Sequence, residues 1–533
     1  MRALTQPSLR LLVTTAALLG ATWLAPERAN AQDVDHEVED SGADDDADVA
    51  EDVEDQAAGA EAGAEAGTEP QTATVPVTES GAGPEPGAGP EPGAGHEPGA
   101  APEVHEDVHE HEDSGEDSGE ELPRGTFVAG RFSFRPMVEV RERFETRIDP
   151  YTAAGTGDNA YFVASRARLG LDVGFESLRL LVQVADARSF GQFAAGTDDG
   201  GTTGLHQGFL ELALGEGRWL RLGRQEINLG HQRLVGALNW STAGRSFDAL
   251  RVHLGFGPSS LDLIGAMARW VRRVTETDDT VDPPEERSTL STGDELVALY
   301  FAWAALEAVR LDAYVLYRHD GATEGDVERE RDIAAPGLRL HGAPAAGLTY
   351  EVEGVIQAGR AGGRRHLAFG AALEVAYVVQ VPIRPGFALG GSYGSGGAPG
   401  DSITELDNFY PTNHGFYGIA DLFGWRNLLH GYFRISSAPT AAPITVSLNN
   451  HVFGLASPGD RWSSAGGATL GADSANRDRF LGYELDVDVG WRPRDWFAVS
   501  LGYALFIPAT AASNLGHDRP THWAYVMLGS VLP

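Results

Sequence analysis

Arg166 and Arg168 stand two residues apart inside "YFVASRARLGLDVGF", residues 161–175, with Asp172 on the same parity. Guanidinium groups are planar, permanently charged and able to grip a carboxylate through two parallel hydrogen bonds. Two of them at this spacing recognise acids only if one face of the segment holds both. A strand meets that condition, because its side chains alternate. Val163, Ser165, Ala167, Leu169, Leu171, Val173 and Phe175 then share one face, and Phe162, Ala164, Arg166, Arg168, Gly170, Asp172 and Gly174 share the other.

The same pattern recurs along the chain. In "VEVRERFE", Arg141 and Arg143 share parity with Glu139 and Glu145. Arg251 and His253 oppose Leu250, Val252 and Leu254, and Arg318 falls with Asp312 and Tyr314. "FLGYELDVDVGW" sets Glu484 and Asp486 against Leu485 and Val487. Arg224 and Arg233 lie where the alternation slips, so a bulge or loop is expected there. Each arginine also has a plainer role open to it, a cross-strand ion pair that selects nothing.

Other chemistries find less support. "GGSYG", Gly390 to Gly394, has the spacing of a nucleophile elbow but runs on into a glycine-rich segment, where that motif needs a helix. His105, His109 and His111, set among carboxylates, are weak candidates for a loosely held divalent metal, and no closed metal site is spaced out anywhere. No P-loop, H-E-x-x-H or dinucleotide fingerprint occurs, so no enzyme activity and no cofactor are expected. Nucleic acid is disfavoured as a partner by the net charge of −37.

The elements that position the arginines are short and alternate with a period of two, separated by Gly, Asp, Asn and Pro clusters. "LTYEVEGVIQAG" and "HLAFGAALEVAYVV" repeat the alternation, and no amphipathic helix is evident. An arginine facing lipid at the midplane costs about 2–4 kcal/mol, so turning Arg166 and Arg168 outward would cost roughly 4–8 kcal/mol. Their face is therefore expected to meet a wet lumen. A soluble sandwich would also hide its apolar face, but residues 123–533 are too many short strands for one such domain. At about 23 residues per strand and connection they make roughly 18 strands, within a range of about 16–18, the size of a water-filled porin. Trp219, Trp270, Trp303, Trp491 and Trp496 fall near strand ends, as an interfacial girdle requires.

The rest of the chain divides simply. Residues 1–31 read as a secretory signal ending in "ANA" and cut before Gln32. Residues 32–122 carry 30 carboxylates and no Lys or Arg, with a "GAGPEP" repeat, a composition expected to be a disordered acidic extension. Residues 123–533 then carry a net charge of only −9. Cysteine and lysine are both absent, so no disulfide supports the exported chain and all 40 basic residues are arginine.

Several longer blocks resemble the alginate export family of outer-membrane barrels. They are "VEVRERFE", "SRARLGLDV", "VQVADARSFG", "LRLGRQEINLGHQRLVGALNWSTAGRSFDALRV" (220–252), "FYPTNHGFYGIADLFGWRNL" (409–428) and "LGYELDVDVGW". The resemblance implies a monomeric transmembrane antiparallel β-barrel of about 18 strands in the outer membrane, in contact with its lipid. Its arginine-lined lumen would pass anionic polysaccharide or uronate by diffusion, with a periplasmic export complex as partner. The acidic extension, placed in the periplasm, departs from the family pattern. The alternatives are a general or small-anion uptake porin and, third, an envelope-anchoring or metal-binding structural protein.

Overall fold

A computed structural model describes residues 123–532, except 153, 193–200, 270–271, 279–284, 292, 322–329 and 398–401. The expected signal, the acidic extension with His105, His109 and His111, and Trp270 lie outside the described residues.

Eighteen antiparallel strands form one closed sheet. They are β1 (Phe132–Ile148), β2 (Ala160–Phe175), β3 (Leu178–Gln192), β4 (Thr202–Gly215), β5 (Arg218–Gln225), β6 (Phe247–Phe256), β7 (Ser259–Arg269), β8 (Asp294–Leu306) and β9 (Val309–Asp320). They continue with β10 (Arg331–Ala345), β11 (Leu348–Ala361), β12 (Arg364–Val378), β13 (Pro385–Gly394), β14 (Leu428–Ser437), β15 (Ile444–Leu455), β16 (Phe480–Arg494), β17 (Phe497–Pro508) and β18 (Thr521–Leu532). The last strand closes on the first, with Glu142 opposite Leu528. Closure satisfies every ladder and removes the sheet edges, which is what a sheet surrounded by hydrocarbon requires. No helix among the described residues is long and apolar enough to cross a membrane.

The alternation of side chains sets the two faces. On β2, Leu169 and Leu171 are 62% and 44% exposed on the outer surface, whereas Arg166 and Arg168 are each 5% exposed. The short turns gather at the end where β1 starts and β18 finishes, and the long connections lie at the other end, the arrangement of outer-membrane barrels.

The large buried side chains sit inside the barrel. Connection 226–246 and residues 402–427 of the connection after β13 turn into the lumen, and Trp425, Tyr417, Phe423, Phe453, Trp462 and Phe506 pack there as an aromatic core. Phe423 lies flat on Phe453 of β15 with ring centroids 3.7 Å apart. A one-turn helix, Thr510–Asn514, buries Ala511 and Ala512 beside them.

Candidate channel interior

The two inward connections pair with each other. Val235 and Tyr410 form a parallel bridge, in which Gly236 N donates to Tyr410 O at 2.9 Å and Tyr410 N to Leu234 O at 2.9 Å. Trp240 of the first connection stacks on His414 of the second, centroids 3.7 Å apart and planes 6° from parallel.

Arginines on β1 and β2 hold the first connection by its backbone. Arg141 donates to the carbonyl oxygens of Asn239 at 2.5 Å, Trp240 at 3.1 Å and Ser241 at 2.9 Å. Arg143 donates to Trp240 O at 2.6 Å and to Glu145 at 2.7 Å, and its guanidinium lies 4.0 Å from the Trp240 ring centroid. Arg166 reaches Asn239 O at 2.9 Å and is paired with Glu139. Arg168 donates to Asn239 Oδ1 at 3.2 Å and lies 3.4 Å from both Glu139 and Glu226. Charge-assisted bonds of this kind are about twice as strong as neutral ones. Burial alone would raise the Glu226 carboxyl, but a hydrogen bond from His206 and the Arg168 charge hold it below its usual range.

Acids hold the second connection in the opposite sense. Glu484 and Asp486, both fully buried on β16, accept from the backbone N–H groups of Ala420 at 3.1 Å and Ile419 at 3.3 Å. His451 of β15 approaches Asp486 at 3.3 Å and His430 of β14 at 2.9 Å. On β9, Arg318 bridges Asp294 and Asp407, each at 3.0 Å. Arg233, within the first connection, lies 3.3 Å from Glu351 and 3.4 Å from Glu353, its guanidinium 4.1 Å from the Phe416 ring centroid.

Towards the short-turn end the lumen wall is basic and aromatic. Arg221 and Arg251 are cross-strand neighbours on β5 and β6. Their guanidiniums lie 4.7 and 5.2 Å from the Trp219 ring, which stacks on His253 at 5.1 Å. Glu211 pairs with Arg221, and Asp262 accepts from Arg251 at 2.7 Å.

Among the expected lumen residues, Arg141, Arg143, Arg166, Arg168, Arg233, Arg251, Arg318, Glu484 and Asp486 all lie inside the barrel. Arg224 differs. It shares parity with Leu220 and Leu222 on the outer face and pairs there with Asp248 at 2.7 Å, because inward-facing Arg221 and Gln225 fix the register of β5. Trp219 differs too, facing inward rather than towards an interface. "GGSYG" lies within β13, with Ser392 opposite His430 rather than on a strand-to-helix turn. Sequence reasoning missed Trp240, His414, Asp407 and Tyr410. Their signal was a block rich in aromatics, Asn and Gly that is too apolar for an exposed loop and lacks a period of two.

The family described as alginate export matches residues 136–522. The chain belongs to that family. The match runs from within β1 to the start of β18, so the barrel is an outer-membrane channel of the alginate export family. No curated protein matches the chain significantly. Solved structures similar to it include Pseudomonas aeruginosa OccK11 (OpdR), with 13% identity, 75% of this chain and 96% of that chain covered, and a TM-score of 0.47. Pseudomonas aeruginosa OccK5 (OpdH) is similar at 10% identity, with 75% and 98% covered and a TM-score of 0.49.

Proposed function

We propose that this channel passes anionic polysaccharide or uronate-like solutes by passive diffusion. The observation that carries the reading is the set of guanidiniums from β1, β2, β5 and β6 turned into the lumen of an alginate export barrel. Fixed positive charge inside a low-dielectric wall raises the local concentration of carboxylates and repels cations. Many weak sites, rather than one tight one, let a polyanion enter and leave. The Asn239–Ser241 carbonyls occupy several of the same donors, so a passing carboxylate competes with the connection for them. The working form is a monomer in outer-membrane lipid, with a periplasmic polymer-handling complex as its partner.

A second reading, a small-anion uptake porin, is favoured by residues 226–246 and 402–427, which occupy lumen space that a polymer would need. The test is the reversal potential of the full chain in a planar bilayer under a salt gradient, with and without oligo-uronate. Anion selectivity that falls on adding oligo-uronate supports the polyanion conduit. Anion selectivity indifferent to oligo-uronate but reduced by small organic acids supports the porin. Cation selectivity removes both.

A further inference from the structure

The β11–β12 hairpin carries three arginines that form no ion pair with a carboxylate among the described residues. Its turn is Gly362-Gly363, with φ of +55° and +71°. Both central residues in the left-handed region define the tight two-residue turn that fixes cross-strand register. That register sets Ala361 opposite Arg364 and Arg360 directly opposite Arg365. Flanking a two-residue turn, Arg360 and Arg365 form the closely approached kind of pair, with Cα atoms about 4.5 Å apart.

Both point outward. Gln357 and His366 are buried on the lumen side, whereas Ile356 (56% exposed), Leu367 (48%) and Phe369 (49%) mark the lipid-facing side of the same two strands. Arg360, Arg364 and Arg365 are all exposed. Among the described residues no carboxylate forms an ion pair with any of the three. Asp332, which faces Arg360 from β10, is engaged by the Tyr317 hydroxyl at 2.7 Å and His319 at 2.8 Å. Outward Arg188 and Arg224, by contrast, pair with Asp186 and Asp248, each at 2.7 Å.

Like charges directly across a ladder destabilise it, and a hydrocarbon boundary penalises them further. The arrangement therefore calls for an anion from outside the chain. The hairpin stands at the end opposite the short turns, where the outer leaflet begins. Below the two arginines runs an apolar strip, Ile356, Leu367 and Phe369, the last stacked with Tyr393 at 5.8 Å. A ligand that offers a phosphate at this height and acyl chains beneath it matches both features.

We propose that Arg360 and Arg365 bind the phosphate of an outer-leaflet glycolipid whose acyl chains lie along Ile356, Leu367 and Phe369. Two planar forks close on phosphate oxygens and offset the repulsion between them. This binding is independent of whichever solute the lumen passes.

The experiment uses the full chain purified in mild detergent and titrated with a phosphorylated, multiply acylated glycolipid, with its dephosphorylated form, and with inorganic phosphate, read by native mass spectrometry. Arg360→Ala/Arg365→Ala is expected to weaken binding of the phosphorylated glycolipid by about tenfold, the loss of one to two charge-assisted bonds. Arg188→Ala is expected to leave it unchanged, and Arg360→Lys/Arg365→Lys to restore part of it. Heat-modifiable electrophoretic mobility confirms that each variant remains a folded barrel. Equal binding of the two glycolipid forms, or no loss in the double alanine variant, overturns the proposal. Inorganic phosphate binding as well as the glycolipid would assign the site to a free anion and overturn the lipid as its source.

Discussion

Trp240 and His414 lie face to face at 3.7 Å, and through them the two segments inside the barrel are joined into one body. Arg143 covers part of the same indole at 4.0 Å, while Trp523 and Tyr525 of β18 meet it edge-on. The segments are thus tied to each other and to the wall at β1 and β18. Truncating an aromatic side chain packed this way costs about 3–5 kcal/mol, and here the loss falls on the connections rather than on the sheet. Trp240→Ala is therefore expected to raise single-channel conductance and current noise while the barrel keeps its heat-modifiable mobility. Unchanged conductance and noise would mean that the connections do not restrict the passage.

Arg224 and Arg251 lie one strand apart but on opposite faces, which separates lumen charge from charge in general. Arg251→Ala leaves Asp262 with only His253 beside it and should move the reversal potential several-fold towards cation permeability. Arg224→Ala removes a half-buried pair on the outer face, which should cost about 1 kcal/mol of stability and leave selectivity where it was. Equal shifts from the two variants would contradict the inward placement of Arg251.

The period of two made the strands, their faces and most of the inward arginines legible, because a barrel of this kind keeps one face apolar and the other wet along every strand. Arg224 escaped because the break in alternation falls after Gln225 and not before Arg224: β5 keeps its period of two to its end and carries Arg224 on the parity of Leu220 and Leu222. The inward folding of 226–246 and 402–427 escaped for a different reason. Once alternation stops, apolar periodicity no longer says where a segment packs. The partners of Arg141, the carbonyls of Asn239, Trp240 and Ser241, are backbone groups that carry no side-chain signature at all.

Gly418 sits at φ +80°, and a Cβ there would collide with the Glu484 carboxylate. Its lack of a side chain lets the next two N–H groups reach Glu484 and Asp486. Gly418→Ala adds a strained backbone position, about 1–3 kcal/mol, together with that collision. Faster amide exchange at Ile419 and Ala420 in a barrel otherwise protected as before is the expected result. Unaltered exchange at these two amides would show that the acids do not depend on this glycine.

Asp407 gives the second connection a pH-dependent anchor. Burial alone would raise its carboxyl, but Arg318, Arg426 and Arg331, with the Phe409 N–H, hold it at about 2. A depressed carboxyl stabilises the folded arrangement fully above its unfolded value of about 4, and that contribution is lost as pH falls through about 2. The contribution is on the order of 2–3 kcal/mol for a shift of this size. Current noise is therefore expected to rise as pH is lowered from about 4 towards 2, where the carboxyl begins to protonate. Asp407→Asn should be noisy at neutral pH already and lose this dependence, since its amide cannot carry the charge that Arg318 and Arg331 pair with. A variant whose noise still climbed with acid as in the parent chain would place the titrating anchor elsewhere in the lumen.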